Sequence, residues 1–334
     1  MKLKSFICGL AVLFVFAAVA AAQSPAYRIS APYSHKNLTI YLIHGKDETS
    51  KTNILTLQEA MERKILRVYE TSDVNELEVE NISKAFDVFI QSGDIVKGGK
   101  QDRILGVSIV IAARSGRIKI EAFCVESGRW QKRGNEDAGQ FSSSNDRIVS
   151  KELKLAANGE RSQQEVWAKV SEAQEKLSKN LGAPINGRSS SSSLQLSLEN
   201  GKVAATADEY VRKLSGLIEG RSDVIGYAFA VNGKINSADV YVSNALFKKL
   251  WPRMLKAAAV EAVAEKDERS SATPAAKPEE IKAFMSDADR GPANERAASG
   301  SARIVTRDKK DSAVYEARDE KSKTVVHRAY VKKQ

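Results

Sequence analysis

Val224-Ile225-Gly226-Tyr227-Ala228-Phe229-Ala230-Val231, then Asn232-Gly233-Lys234, then Asp239-Val240-Tyr241-Val242: this stretch decides the fold. Apolar, β-branched and aromatic residues flank an Asn-Gly pair. That pattern predicts a β-hairpin, because a two-residue type I′ turn needs φ > 0 at both central positions. A helical repeat follows at once. Phe247, Leu250, Trp251, Leu255 and Ala258 recur at three- and four-residue spacing from about Ala245. Pro252 either kinks this helix or restarts it at a first-turn position. A hairpin that runs into a long helix places the chain in the α+β class.

Toward the N-terminus, 37–130 is mainly strand. Segments 38–43, 65–70, 77–80, 87–90, 104–113 and 118–125 are apolar or alternate apolar with polar. One short helix over 57–63 interrupts them. Lys97-Gly98-Gly99-Lys100 and Arg114-Ser115-Gly116-Arg117 carry the glycines of tight hairpin turns. In the middle, Ser162-Gln163-Gln164-Glu165 has the spacing of a capping box, and Val166, Val170, Ala173 and Leu177 mark one helix face. Thr206-Ala207-Asp208-Glu209 repeats the device before a helix that stops at Gly220. Between the two helices, 186–194 with its five serines is expected to be a flexible surface loop. A linker is expected over 270–278. A small polar β-meander over 302–305, 313–315 and 325–331 is expected to end the chain, returning to the body. The expected fold is α+β: an N-terminal mainly antiparallel β region packed with a helical and β-hairpin C-terminal half.

The chain opens with Met1-Lys2-Leu3-Lys4, an apolar run from Phe6 to Val19, and Ala20-Ala21-Ala22. A basic start, a short apolar core and small residues before a cut are the parts of a secretory signal. The run is shorter than the ~20 residues that span a bilayer, which argues against a retained anchor. Residues 1–22 are therefore read as a cleaved signal peptide, with 23–334 as one domain or two lobes, 27–150 β-rich and 160–334 α+β. The expected product is exported, periplasmic or extracellular, with no transmembrane anchor after cleavage. Its net charge falls from +10 to +8 when Lys2 and Lys4 leave. Acids and bases are interspersed, and no basic run is studded with aromatics, so nucleic acid is not an expected partner. Loss of Cys8 leaves Cys124 alone, which rules out an intramolecular disulfide.

The three histidines, His35, His44 and His327, are scattered, and no metal-ligand spacing occurs, so no metal site is expected. No Gly-x-Ser-x-Gly elbow marks a serine hydrolase. Gly98-Gly99-Lys100 could be taken for a phosphate loop, but a strand and not a helix follows it, which favours a hairpin. Cys124-Val125-Glu126-Ser127-Gly128-Arg129-Trp130 is one residue short of the C-x5-R loop of cysteine phosphatases. A buried structural thiol is the preferred reading of Cys124, with a nucleophile as the alternative. Glu126 and Arg129 could pair with each other or wall a pocket with Gln101 and Arg103, where Arg would grip a carboxylate or phosphate. Trp130, Trp167 and Trp251 are expected to close edges of the core.

Gln91-x-Gly93-Asp94-x-Val96-x-Gly98-Gly99-x-Gln101-Asp102-Arg103 and Cys124-Val125-Glu126-x-Gly128-Arg129-Trp130 together resemble the ARG and rhodanese-phosphatase-superfamily-associated protein domain family. Leu57-x-Glu59-Ala60, Gln164-Glu165-Val166-Trp167, and Asn232-Gly233, Asp239 and Leu250-Trp251-Pro252 fit the same family, as does Val326-His327-Arg328 near the end. The resemblance implies an association with ADP-ribose-processing enzymes, and hence a nucleotide- or phosphosugar-like ligand. It names no cofactor. Three functions follow as expectations. The first is a module that binds a small anionic ligand or a protein partner through Gln101, Arg103, Glu126 and Arg129. The second is a hydrolase or transferase of phosphate- or ribose-containing substrates, with Glu126 or Asp94 as general base and Arg103 or Arg129 as clamp. The third is a structural envelope protein in which those residues are internal salt bridges.

Overall fold

In the computed structural model the hairpin forms as its sequence predicts, with Val224–Val231 antiparallel to Lys234–Tyr241. Asn232 and Gly233 both take positive φ, 52° and 75°, as a type I′ turn requires. The hairpin is the centre of a large sheet. The fully buried strand Leu38–His44 pairs with its first arm, and Thr324–Lys332 pairs with its second. Beyond Thr324–Lys332 lie Ser312–Asp319, Ala302–Asp308 and Ala293–Ala297, all antiparallel. The expected β-meander at the end of the chain is present and returns to the body, its strands built into the sheet that carries the hairpin. Gly226 makes this packing close: a Cβ there would stand 2.2 Å from the Asp239 carbonyl oxygen and 2.9 Å from Val240 Cα.

The structure describes residues 27–49, 53–147, 150–267, 273–299, 302–319 and 322–333, so the leader over 1–22 and part of the 270–278 linker lie outside it. The β-rich N-terminal region contributes two further sheets. The first runs Phe141–Arg147, Asp94–Gly98, Arg103–Leu105, Arg117–Cys124, Glu76–Asn81, Leu66–Asp73, antiparallel throughout. The second holds Ile109–Ile111, Asp87–Ile90 and Ile54–Thr56, with the last pair parallel. The segment expected as one strand over 104–113 is therefore two. The chain leaves one sheet after Leu105 and joins the other at Ile109, with Gly106-Val107-Ser108 as the crossing. Arg114-Ser115-Gly116-Arg117 is a tight turn, but the strands on either side of it do not pair with each other. Gly98-Gly99 is a true hairpin turn, with Val96 opposite Arg103 and φ of 114° and 56° at its glycines.

Helices cover the large sheet. Gln163–Leu181 starts at Ser162, whose hydroxyl accepts from the Glu165 N–H, and buries Val166, Val170, Ala173 and Leu177 as its spacing predicts. Gly201–Leu214 starts earlier than expected, because Asn200 is its cap. Thr206 lies inside that helix and donates its hydroxyl to the Lys202 carbonyl at 2.8 Å. Asn244–Ala264 contains Pro252 and buries Phe247, Leu250, Trp251 and Leu255, with Trp251 Nε1 donating to the Ser215 carbonyl at 2.9 Å. Pro278, expected in the linker, instead opens the helix Pro278–Asp289 at a first-turn position. Trp251 closes the core as expected, whereas Trp130 is 43% exposed and lies over the Lys100 and Arg103 side chains. One core cluster joins Leu38, Phe89, Val170, Tyr227 and Trp251, so sheet, helices and N-terminal region bury a continuous interior.

Candidate functional site

The residues singled out around the Gly98-Gly99 turn and Cys124 are largely buried and pair with one another, although Arg103 Nε has no hydrogen-bond partner. Arg103 and Cys124 are opposed across two strands. The Arg103 guanidinium donates to Cys124 Sγ, to Gln101 Oε1 at 3.4 Å and to the Glu70 carboxylate at 3.4 and 3.5 Å. Burial pushes the Cys124 thiol up to about 11, only partly offset by Arg103, which leaves it unsuited to act as a thiolate near neutral pH. Glu126 is held bidentately by Arg129 at 2.8 and 2.6 Å. Burial opposes its ionisation, but Arg129, Ser190 and Arg133 prevail and lower its pKa. Asp102, unread as a site residue, takes a second bidentate grip from Arg133 at 2.9 and 3.2 Å. The Gly98 N–H and the Ser193 hydroxyl also donate to Asp102. Gln101 and Arg103 thus face one cluster and Glu126 and Arg129 a neighbouring one. Each cation already has its carboxylate, so the four do not converge on an open pocket.

The serine run explains part of this closure. Its Ser193 is fully buried and caps the short helix Leu194–Leu198, while Ser192 exchanges hydrogen bonds with both backbone groups of Ser127. Asp94, the other expected base, lies elsewhere. It accepts from the Gln91 N–H at 3.0 Å and sits between two guanidinium groups, Arg253 at 3.3 Å and Arg147 at 3.8 Å.

Arg147 opens onto a different place. Where the crossing at Gly106-Val107-Ser108 meets the large sheet, a cavity is lined by Ser108, Arg147, Lys154, Asn158, Asp239 and His327, among others. Asp239 and His327 belong to neighbouring strands, where Asp239 opposes Ala329 and Tyr241 opposes His327, so the two lie diagonally on one face. His327 Nε2 is 3.0 Å from Asp239 Oδ1, and His327 Nδ1 is 3.0 Å from Ser108 Oγ. The Ser92 N–H donates to the same Ser108 Oγ at 3.1 Å. The network assigns the tautomer: Nε2–H donates to the carboxylate, and Nδ1 accepts from the serine hydroxyl. The Tyr241 ring stacks on the imidazole at 4.8 Å, and the Gln91 amide in turn holds the Tyr241 hydroxyl at 2.9 Å, which fixes the ring plane. Ser108, Asp239 and His327 are 5%, 2% and 2% exposed, so the constellation is sheltered from bulk water.

Charge around the cavity is incompletely paired. Burial works against the Asp239 carboxylate, but Lys154, His327 and Arg147 hold its pKa below the ordinary range. Its Oδ2 has no hydrogen-bond partner, because Lys154 Nζ stops 3.9 Å away and donates instead to Ser237 Oγ at 2.9 Å. Arg147 Nη2 donates to the Ser92 carbonyl at 2.7 Å and its Nη1 meets Met254 Sδ, while its buried Nε has no hydrogen-bond partner, the nearest carboxylate oxygen being Asp94 Oδ1 at 3.8 Å. Separations near 3.9 Å between opposite charges are what an inserted water or ligand atom would bridge. The space available to the centre of a water molecule is ≈ 30 Å³, about that of two waters at ~10–15 Å³ each. Among the described residues, no group of three or more His, Cys, Asp or Glu side chains is placed to hold a metal ion.

Fold and site define an α+β protein with a small, polar, sheltered cavity where a serine, a histidine and an aspartate are joined in series. The chain belongs to the ARG and Rhodanese-Phosphatase-superfamily-associated Protein domain family, whose model matches residues 26–331. No curated protein and no solved structure matches the chain. Sequence reasoning missed the cavity because its members are spread from Ser108 to His327. The one usable signal was that Asp239 and His327 both lie in stretches that fit the family. No helix among the described residues is long and apolar enough to cross a membrane.

Proposed function

We propose that the protein is an exported module that binds a small anionic ligand, one bearing a phosphate or a carboxylate, with the anionic head in the cavity beside Ser108, Arg147 and Lys154. The observation that carries this reading is a pair of loosely matched cations lining the cavity: Lys154 Nζ stands 3.9 Å from its nearest carboxylate oxygen, and Arg147 Nε has no hydrogen-bond acceptor, with Asp94 Oδ1 3.8 Å away. An unpaired buried guanidinium N–H is costly, and an oxygen of a bound anion would satisfy it. Room for about two waters fits the head of such a ligand and not a whole nucleotide, so a phosphosugar or nucleotide would leave its remainder outside. Export is supported by the basic start, apolar run and small residues of 1–22.

A thermal-shift series against inorganic phosphate, sugar phosphates and ADP-ribose tests the reading. At ~100 times its dissociation constant a ligand adds about 2.7 kcal/mol, a shift of several degrees. The expected result is a shift with at least one phosphate compound that disappears in Lys154→Met. No shift with any of them, or a shift unchanged in that variant, overturns it.

A further inference from the structure

The geometry points to Ser108 as a nucleophile toward small carboxylic esters, with His327 as its general base and Asp239 as the positioning residue for His327. The inference rests on the same cavity as the proposed binding function, but on different atoms of it. A serine hydroxyl is a weak nucleophile unless a base accepts its proton as the bond to carbon forms. Ser108 Oγ and His327 Nδ1 are 3.0 Å apart, within reach for that transfer, and Asp239 at 3.0 Å from the other ring nitrogen fixes the tautomer in which Nδ1 is free to accept. Which ring nitrogen faces the serine is immaterial to this logic. What matters is that one nitrogen faces the hydroxyl and the opposite one the carboxylate.

Several features go beyond a satisfied core histidine. The imidazole is clamped by Tyr241 on its face and by Phe89 at 6.0 Å edge-on, so its two nitrogens are held in line between serine and aspartate. The serine stands where the chain crosses between two sheets, and not inside a strand ladder. Gly106 is needed there because a Cβ would meet Glu121 and Phe123 side-chain carbons at 2.9 Å. Asp239 Oδ2 has no hydrogen-bond partner, and Lys154, Asn158 and Arg147 line the same cavity, so the surroundings have room and polarity for a reacting group.

The step balances without a co-reactant other than water. Ser108 Oγ bonds to the ester carbonyl carbon while its proton passes to His327 Nδ1. As the carbon–oxygen bond to the leaving alcohol breaks, that proton passes to the alcohol oxygen. Water, deprotonated by the same nitrogen, then attacks the acyl-serine, releases the carboxylic acid and returns the proton to Ser108. The size of the cavity limits the acyl group to about that of acetate.

The test uses the purified chain with p-nitrophenyl acetate and with methanesulfonyl fluoride, followed by peptide mass spectrometry. The expected result is a burst of nitrophenol and a sulfonyl adduct on Ser108, both absent in Ser108→Ala. The acylation rate should fall about a hundredfold or more in His327→Gln. In Asp239→Asn the maximal rate should fall with little change in KM, a split that a merely structural loss would not give. Mapping the adduct on the unaltered protein needs no variant to fold. Ser108 left unmodified while phosphate binding persists overturns this inference and leaves the binding function standing. Modification of Ser108 without any anion-induced shift does the reverse.

Discussion

Glu261 tests the electrostatic reading of this fold most directly. It sits on the inner side of Asn244–Ala264, 2% exposed, and its Oε1 accepts from the Lys151 N–H at 2.9 Å and from Asn236 Nδ2 at 2.7 Å. Burial pushes its carboxyl from an ordinary 4.5 up to about 7, with Lys154, Asn236 and the Lys151 N–H pulling the other way. At ~1.4 kcal/mol per tenfold, that difference corresponds to about 3 kcal/mol, which the folded state loses once the group must ionise. Below the unfolded value both states are protonated and nothing is lost. As the pH rises from about 4.5 toward 7, the unfolded chain gives up the proton freely while the folded chain resists, so stability falls across that window and is level above it. Glu261→Gln keeps the accepting oxygen and removes the charge, and Lys154 retains Asp239 as its counterion. Urea unfolding of both proteins should therefore show the variant more stable at pH 8 by up to about 3 kcal/mol, with the gain shrinking to near zero at pH 4. A gain equal at both pH values, or a variant less stable at pH 8, would refute the assignment of a strained buried carboxylate.

Gly226→Ala places a methyl group against backbone of the partner strand, which cannot yield as a side chain can. The loss should reach or exceed the upper end of the ~1–3 kcal/mol typical of overpacking, read as a fallen urea midpoint. Arg133→Ala leaves Asp102 buried with the Gly98 N–H and the Ser193 hydroxyl as donors and Arg129 3.8 Å away. Breaking such a pair costs about 3–5 kcal/mol. Because burial has already raised the Asp102 pKa, the cost should shrink on acidification, when the orphaned carboxylate takes up a proton; pH-independent destabilisation would contradict that. Iodoacetamide at pH 8 should leave Cys124 untouched in the folded protein and alkylate it in urea, as peptide mapping would show; rapid native alkylation would contradict the buried, high-pKa thiol.

What was legible in the sequence was what local chemistry dictates. Asn232-Gly233 announces its turn because few residues accept positive φ twice in succession. The face through Val166, Val170, Ala173 and Leu177 announces its helix by period alone. Errors arose where long-range packing overrode local signals. Thr206 has the composition of a cap, but the helix had already begun at Gly201, so its hydroxyl turned back to the preceding turn. The run over 104–113 has unbroken β character, and only the arrangement of two sheets reveals that it changes partners at Gly106. Ser193 looks like part of a polar loop until Asp102, 91 residues earlier, needs a donor.

The candidate site follows the same division, and the contrast between two buried charge clusters locates it. Around Asp102 and Glu126, two arginines meet two carboxylates in bidentate pairs: Arg129 grips Glu126 three residues before it, while Arg133 grips Asp102, 31 residues earlier, and also meets nearby Glu136. Only the short-range Glu126–Arg129 pair of this cluster was readable, and its charged groups are paired with one another. Around Ser108, Asp239 and His327 the partners come from distant segments, and polar atoms of Asp239 and Arg147 remain unmatched beside open space. Leaving buried polar atoms unpaired costs folding free energy, and the place where such a cost lies beside a hydrogen-bonded serine and histidine is the ground on which the binding function is proposed. The charged motif most conspicuous in the sequence therefore builds a buried, paired cluster away from the cavity, and residues less conspicuous in it line the candidate site.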